Sequence, residues 1–450
     1  MNLKENMESF LRIKKYYKEK KSKTLFEKFF EKFEGIWDFS LDRIKAAIKD
    51  LNLDKIYQEK LTILVLGSNG KGSTSYLLKS IILKTNLNLK VGLFTSPHIF
   101  SFKERFLINF NFFKTDILDK SFLKLLTFIK KYKLTYFESS FLLALELFKN
   151  TDICIFEAGL GGRLDATNAL NHNIYILTTI SKEHTSILGN SLEKIAFEKL
   201  SAVRKNSTLI LGEKNFYKLA RKFTENIKVY GKDFFIQKNE NMFFDKEKNI
   251  TFKLNLSKNT FHNYKALSLA LKAFFEIFNN TNLKSLSITS LDYPLFRTQK
   301  LYVNNKFFLF DVAHNEESLK RLFSVLKDEY KKYKGKYKFN FFFTFMKDKN
   351  ISFLKKFFNY FENSNFYFVS IPHDRALNFK NFLRDFSGLD TKKIYKDFYV
   401  FKNTFSVLKN IYPNKALNFI KEDTFNVFFG SFYLYNYLNL NSFFLDALNS

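Results

Sequence analysis

The chain has 450 residues, 46% of them hydrophobic, with only 14 Gly and 4 Pro, which allows two packed domains and leaves no stretch that reads as a long flexible linker. The net charge is +29, but the lysines run through the whole length, and the abundance of Lys, Asn, Ile, Phe and Tyr points to A/T-rich codons as the cause. A nucleic-acid or membrane-surface partner, which would call for a basic arm or patch, is therefore set aside. The single cysteine, Cys154, excludes an intrachain disulfide and a cysteine-rich zinc site, and within the apolar run Ile153–Phe156 it reads as a core residue. The N-terminus lacks an apolar targeting region, and nowhere do about 18 apolar residues run together. A soluble cytoplasmic protein is expected.

In chain order, residues 5–60 read as helices, with Phe10, Ile13, Tyr16 and Tyr17 and then Leu41, Ile44, Ala47 and Ile48 at helical spacing. Leu61–Leu66 is a short continuous apolar run that ends in a Gly cluster, followed by helical spacing over Ser73–Leu83. The alternation recurs: strands at Lys90–Phe94, Asp152–Glu157 and Asn173–Thr179, helices at Phe122–Tyr132 and Phe141–Phe148. Continuous strands separated by helices predict a buried, mostly parallel sheet with right-handed crossovers. Residues 205–260 are more alternating and turn-rich and predict an antiparallel appendage. A helix over His262–Phe278 precedes the polar segment Asn279–Ser290. Strands at Phe307–Asp311, Phe339–Phe345, Asn365–Ser370 and Asn426–Phe429 complete a second α/β series. The fold class is thus α/β: an N-terminal domain over residues 1–288 with a phosphate-binding loop, and a smaller Rossmann-like C-terminal domain over residues 289–450.

Between the first strand and its helix stands Gly67-Ser68-Asn69-Gly70-Lys71-Gly72-Ser73-Thr74. Glycines let successive backbone N–H groups face phosphate oxygens, and the helix N-terminus adds a favourable dipole. Lys71 can place its charge on the β and γ phosphates of ATP, while the Ser73 or Thr74 hydroxyl can ligate Mg²⁺. The strict Walker spacing is not met, and a merely Gly-rich turn is the alternative. Glu157 ends its strand and opens Glu157-Ala-Gly-Leu-Gly-Gly-Arg163-Leu-Asp165-Ala-Thr167-Asn168, where an acidic group past a strand end suits Mg²⁺. Arg163 and Asp165 are expected as exposed polar groups in the crevice, with a salt-bridged loop as the bland reading. His184 also lies just past a strand end, as a ligand or a hydrogen-bonded structural residue. Lys199, by chemistry alone, passes as a solvated helix lysine.

Together these residues resemble the folylpolyglutamate synthase/dihydrofolate synthase family, a branch of the Mur-ligase superfamily. Further pieces match in order: Trp37–Ile44, the loop Leu93-Phe-Thr-Ser96-Pro97-His98 with Phe102-Lys-Glu104-Arg105, Thr135–Glu138, Asp311-Val-Ala-His314-Asn315, Met346–Lys349, Arg375-Ala376 and Gly430-Ser431. The resemblance implies ATP- and Mg²⁺-dependent ligation of L-glutamate to a folate or dihydropteroate carboxylate, by a monomer. In it Gly67–Thr74, Arg297 and Asp311 bind ATP, and Ser73, Glu157 and His184 hold the metal. Lys71, Lys199 and His314 act in catalysis, with Lys199 matching a lysine often carried as a carbamate. Ser96, Pro97, His98, Arg105, Arg163, Asp165 and Thr167 face the substrate. Arg297 matches an arginine that reaches the ATP from the C-terminal domain. Three positions depart from the family pattern: Leu295-Phe296 stands for Pro-Gly, Glu183 for Asp, and Ala266 for an adenine-reading Asn. Another Mur-type amino-acid ligase and a P-loop nucleotide switch are the competing readings.

Overall fold

The computed structural model describes residues 11–17, 23–31, 40–85, 88–255, 263–278, 291–303, 305–385, 391–395, 398–401 and 406–438. The expected boundary at 288/289 lies outside the described residues, as do Trp37 and His262. Residues 19–294 form one compact unit, and the chain from Leu295 forms the other, which also takes residues 11–17.

The first unit is built on eight strands: β1 (Leu61–Leu66), β2 (Val91–Phe94), β3 (Phe106–Ile108), β4 (Asn111–Phe112), β5 (Ile153–Glu157), β6 (Ile174–Leu177), β7 (Thr208–Leu211) and β8 (Ile227–Val229). Their order is β4-β3-β2-β5-β1-β6-β7-β8. All pair in parallel except β3 and β4, which form an antiparallel edge. The continuous apolar runs arise because both faces are buried. Leu64, Leu66, Cys154, Phe156, Tyr175 and Leu177 enter a core shared with the helices Asp42–Asp50, Thr115–Lys131 and Tyr136–Leu147. Ile63, Val65, Ile153, Ile155, Ile174 and Ile176 pack on the opposite side with the helices Lys71–Thr85 and Tyr264–Ile277.

The appendage expected over 205–260 is smaller than that. Among the described residues only β9 (Phe234–Gln237), β10 (Met242–Asp245) and β11 (Ile250–Lys253) form a three-stranded antiparallel sheet there. β7 and β8 instead extend the main sheet, because Leu209-Ile210-Leu211 is buried on both faces, although flanked by polar turns that mask the pattern.

The second unit carries β12 (Gln299–Val303), β13 (Lys306–Phe310), β14 (Lys338–Thr344), β15 (Asn365–Val369), β16 (Thr391–Tyr395), β17 (Phe398–Phe401), β18 (Val407–Ile411) and β19 (Thr424–Gly430). Their order is β12-β13-β19-β14-β15-β18-β17-β16, parallel from β13 to β18 with antiparallel edges. Phenylalanines stack across it: Phe342 lies on Phe428 at 4.6 Å and on Tyr367 at 4.7 Å. Among the described residues no helix is long and apolar enough to cross a membrane.

Candidate nucleotide and metal site

Gly67 leaves β1 at φ +136°, and a Cβ there would meet the Thr178 Oγ1 at 2.0 Å, so only glycine fits. The loop is tied to the end of β6. Ser68 N–H donates to Thr179 O at 2.8 Å, Asn69 N–H to Thr179 Oγ1 at 3.0 Å, and the Thr178 hydroxyl to Asn69 O at 2.8 Å. The helix then starts at Lys71, whose Nζ donates to Gly67 O at 2.8 Å. Ser73 and Thr74 are buried in its first turn. The Thr74 hydroxyl has no hydrogen-bond partner among the described residues, an unusual state for a buried polar atom and one that a phosphate or metal-bound water would satisfy.

Glu157 ends β5, in register with Val65 of β1, and is buried. A Cβ on Gly72 would lie 3.3 Å from its Oε2, so the first helical turn runs directly against this carboxylate. Glu157 Oε2 also accepts the Ser96 N–H at 3.1 Å, linking it to the loop expected to face substrate. A carboxylate beside a hydroxyl-bearing helix start is a hard-oxygen donor set that fits Mg²⁺. His184 lies past β6 at φ +45° and opens the short helix Thr185–Leu188. Among the described residues no three His, Cys, Asp or Glu gather as a metal cluster. The expected set contains only two such residues besides Ser73.

Lys199, readable from sequence as a solvated helix lysine, is buried instead. Its Nζ donates to Glu183 Oε1 at 2.9 Å and to Gly67 O at 3.1 Å. Burial pulls the Lys199 ammonium below its ordinary range, opposed by Glu183. Burial alone would raise Glu183, but the charges of Lys199 and Lys71 outweigh it and hold the carboxyl down at about 2.

On the Ser96–Arg105 loop, Pro97 is exposed and the Arg105 Nε donates to His98 Nδ1 at 3.0 Å. The Arg105 guanidinium lies 5.3 Å from the Tyr136 ring. Burial, helped by the Arg105 charge, lowers His98 to about 3, so the imidazole is neutral. Glu104 accepts the N–H groups of Ile99, Phe100 and Ser101, and burial nonetheless raises its carboxyl to about 7. Arg43 pairs with Glu138 at 2.9 Å, which joins two motif pieces distant in sequence.

One expectation for the Gly-rich block is corrected. Asp165 is buried, not exposed, because it accepts the N–H groups of Leu160 and Thr167 and the Thr167 hydroxyl, capping the turn Ala166–Ala169. Arg163 does remain half-exposed, but it pairs with Glu198 at 3.1 Å, as in the bland reading. Thr167 is likewise buried and engaged with Asp165.

In the second unit, Asp311 is fully buried and accepts the Thr298 N–H at 2.7 Å, the Thr298 hydroxyl at 2.8 Å and Arg321 Nη2 at 2.9 Å. These bonds fix the turn that carries Arg297. The Arg297 guanidinium lies 5.0 Å from the Phe432 ring, and His314 lies 5.6 Å from the same ring. The His314 Nδ1 is 2.8 Å from Val312 O. Ala266 is buried, and its N–H is capped by Asn263 Oδ1 at 3.1 Å. Lys347 N–H donates to Arg375 O at 2.9 Å, pairing two further motif pieces. Sequence reasoning missed the roles of Glu183, Thr178, Thr298, Arg321 and Phe432. Hydroxyls just past an apolar strand were a usable signal for Thr178, whereas one phenylalanine among 60 carried none.

A Gly-rich loop that seats a lysine at a helix start, against a buried strand-end glutamate, defines an α/β protein of the phosphate-loop class. No family model matches the chain. It is similar to the dihydrofolate synthase/folylpolyglutamate synthase of Buchnera aphidicola subsp. Baizongia pistaciae, 34% identical over 298 residues, which is 64% of this chain and 68% of that protein. The Haemophilus influenzae protein of the same description is 42% identical over 183 residues, so the match spans only 40% of its length. The chain belongs to the dihydrofolate synthase/folylpolyglutamate synthase family. Solved structures share the fold: Escherichia coli FolC in complex with DHPP and ADP has a TM-score of 0.76 at 22% identity, covering 94% of this chain and 97% of that one. A Yersinia pestis bifunctional folylpolyglutamate synthase/dihydrofolate synthase, complexed with AMPPNP and Mn ion, has a TM-score of 0.75 at 21% identity, covering 92% and 96%.

Proposed function

We propose that this chain is an ATP- and Mg²⁺-dependent ligase that joins L-glutamate to the carboxylate of a folate or a dihydropteroate. The observation that carries the reading is the phosphate loop packed against Glu157, in a chain of this family. The ADP, AMPPNP, Mn ion and DHPP bound by the structural relatives support the same nucleotide, metal and substrate classes.

The substrate carboxylate attacks the γ phosphate, giving an acyl phosphate and ADP. The amine of glutamate then attacks the acyl carbon, and phosphate leaves from a tetrahedral intermediate. Little covalent work falls to the protein, so its contribution is positioning and charge. Loop N–H groups over Gly67–Thr74 cradle the phosphates, and Lys71 supplies a positive charge to them. Ser73, Glu157 and His184 hold Mg²⁺, which when bound neutralises charge on the phosphoryl oxygens. The Ser96 N–H on Glu157 keeps the substrate loop in register with that ligand, and Arg105 with neutral His98 offers donors to an anionic substrate. Asp165 and Thr167 shape the loop beside it. Arg297 and His314 serve the nucleotide, on a turn that Asp311 fixes.

The test is ATP-dependent phosphate release from the purified protein with Mg²⁺ and glutamate, with dihydropteroate in one series and tetrahydrofolate in another. Release that needs both glutamate and a pterin, and that stops with EDTA, is expected, and the preferred pterin assigns the dominant activity. Release that ignores both co-substrates would replace the ligase with a nucleotide switch.

A further inference from the structure

The loop between β2 and β3 is closed at its base and held again at its centre. At the base, Thr95 N–H donates to Arg105 O at 3.0 Å. At the centre, one buried carboxylate takes three successive N–H groups. Glu104 accepts from Ile99 at 2.8 Å, from Phe100 at 2.6 Å and from Ser101 at 2.8 Å. Such charge-assisted bonds are strong, and three of them leave the turn after His98 little freedom. Helix capping explains only part of this. Ser101 and Glu104 form a capping box on the single turn Phe102–Arg105, for which Glu104 needs the Ser101 N–H alone. The bonds from Ile99 and Phe100 lie outside that box. The loop also delivers a defined pair of donors. Arginine can only donate, so the Arg105 Nε bond makes His98 Nδ1 an acceptor. The neutral ring then carries its proton on Nε2, an assignment made from this neighbour, and presents an N–H beside the Arg105 guanidinium.

We propose that Glu104 is a positioning residue for the folate or dihydropteroate, setting His98 and Arg105 as donors by gathering the backbone between them. Glu104 acts through these two residues rather than on the substrate. The proposal rests on the ligase reading, which puts this loop at the substrate. Glutamine isolates what the carboxylate adds. Its carbonyl oxygen can take the place of Oε1 and keep the Phe100 and Ser101 N–H groups. Its amide then meets the Ile99 N–H donor to donor, where Oε2 had accepted, and the turn must shift at the residue that follows His98.

The experiment uses the full chain with Glu104→Gln, Glu104→Asp, His98→Ala and the double variant Glu104→Gln/His98→Ala. Phosphate release gives kcat and KM for each substrate, and calorimetry gives the affinities for dihydropteroate, tetrahydrofolate and AMPPNP. Assays run at about pH 8.5, above the raised pKa of Glu104, so that its carboxylate is charged. Glu104→Gln is expected to lower kcat/KM for the preferred pterin roughly tenfold or more, with KM for ATP and AMPPNP affinity unchanged. Glu104→Asp, which keeps the charge, should recover part of that loss. In the His98→Ala background Glu104→Gln should cost far less, because a residue it positions is gone. Equal losses for pterin and nucleotide, full additivity with His98→Ala, or no change would overturn the proposal. Failure of both Glu104 variants to fold would also overturn it, by making the residue structural. Pterin affinity needs no turnover, so a wild type that binds a pterin without glutamate-dependent release would sink the ligase and leave Glu104 measurable. A wild type that binds neither pterin would sink both.

Discussion

Phe296 takes a left-handed backbone, φ +56°, and lays its ring on Tyr435 with centroids 4.0 Å apart. The Tyr435 hydroxyl in turn lies 2.7 Å from Asp311 O and 2.9 Å from Phe428 O, sharing its one proton between them, so the stack locks the turn that carries Arg297. A side chain in that region costs about 1–2 kcal/mol, which a glycine would avoid. A fully buried aromatic contributes about 3–5 kcal/mol when compared with alanine. Burial therefore wins, and the turn is kept by packing where the family pattern uses Pro-Gly. Phe296→Gly should lose about 2 kcal/mol in urea unfolding, and Phe296→Ala about 1 kcal/mol more, because alanine keeps the strain and drops the ring. Equal losses in the two variants would show that the left-handed backbone stores no strain.

Acid should weaken the first unit through imidazoles that the fold holds neutral. His172 is enclosed, with Nε2 2.8 Å from Thr167 O and Nδ1 3.2 Å from Thr62 Oγ1, a pattern assigned from its neighbours and suited to the neutral ring. Burial, with Arg204 adding to it, lowers its pKa from 6.5 to about 4. Between those values the unfolded chain binds a proton that the folded chain refuses, so stability present above pH 6.5 is lost as pH falls toward 4. The loss for this one group amounts to about 3 kcal/mol. His98, lowered to about 3, pulls in the same direction. His172→Gln should therefore show a visibly flatter decline of melting temperature from pH 6.5 to 4 than the wild type. Parallel curves would mean that His172 is protonated in the folded state.

Glu157→Gln isolates charge from shape. The amide keeps an acceptor for the Ser96 N–H and nearly the same volume beside Gly72, while removing the anion proposed to bind Mg²⁺. The Mg²⁺ concentration for half-maximal phosphate release should rise roughly tenfold or more. Calorimetric titration of Mn²⁺ in the presence of AMPPNP should lose affinity in parallel. Stability should stay level, because a buried carboxylate has been replaced by a neutral group. An unaltered Mn²⁺ affinity would assign the metal to other ligands.

The legible part of this fold is the part written by two-sided burial. β1, β5 and β6 read as uninterrupted apolar runs because Ile63 and Leu64, or Ile155 and Phe156, enter different cores. β18 escaped because Lys409 and Asn410 interrupt its pattern. In the site, the phosphate loop and Glu157 were readable because each sits where a strand ends. The Lys199–Glu183 pair was not, since it joins a helix to a loop 16 residues away through a fold that neither segment encodes alone. The burial of Asp165 did leave a local trace. Asp165-Ala-Thr167 has the spacing of a capping turn, and weighing that against an exposed role would have turned the expectation.

A buried lysine supplies the last prediction. Lys79, on the phosphate-loop helix, is fully buried; its Nζ pairs with Asp292 at 2.7 Å and faces the Tyr76 ring at 4.9 Å. Asp292 N–H donates to Ser80 Oγ at 2.8 Å, so the segment before Leu295 is pinned to this helix twice. Removing the carboxylate takes the Asp292 charge away from a desolvated ammonium, a change that costs about 3–5 kcal/mol. Removing the charge itself is different. Methionine matches the lysine stem in length and suits the apolar wall around it, and Asp292 is partly exposed and can be hydrated. Asp292→Ala should thus be strongly destabilising in urea unfolding, Lys79→Met should sit within about 1 kcal/mol of wild type, and the double variant should recover most of the Asp292→Ala loss. If Lys79→Met proves as damaging as Asp292→Ala, the pair stabilises the fold outright and the desolvation argument fails.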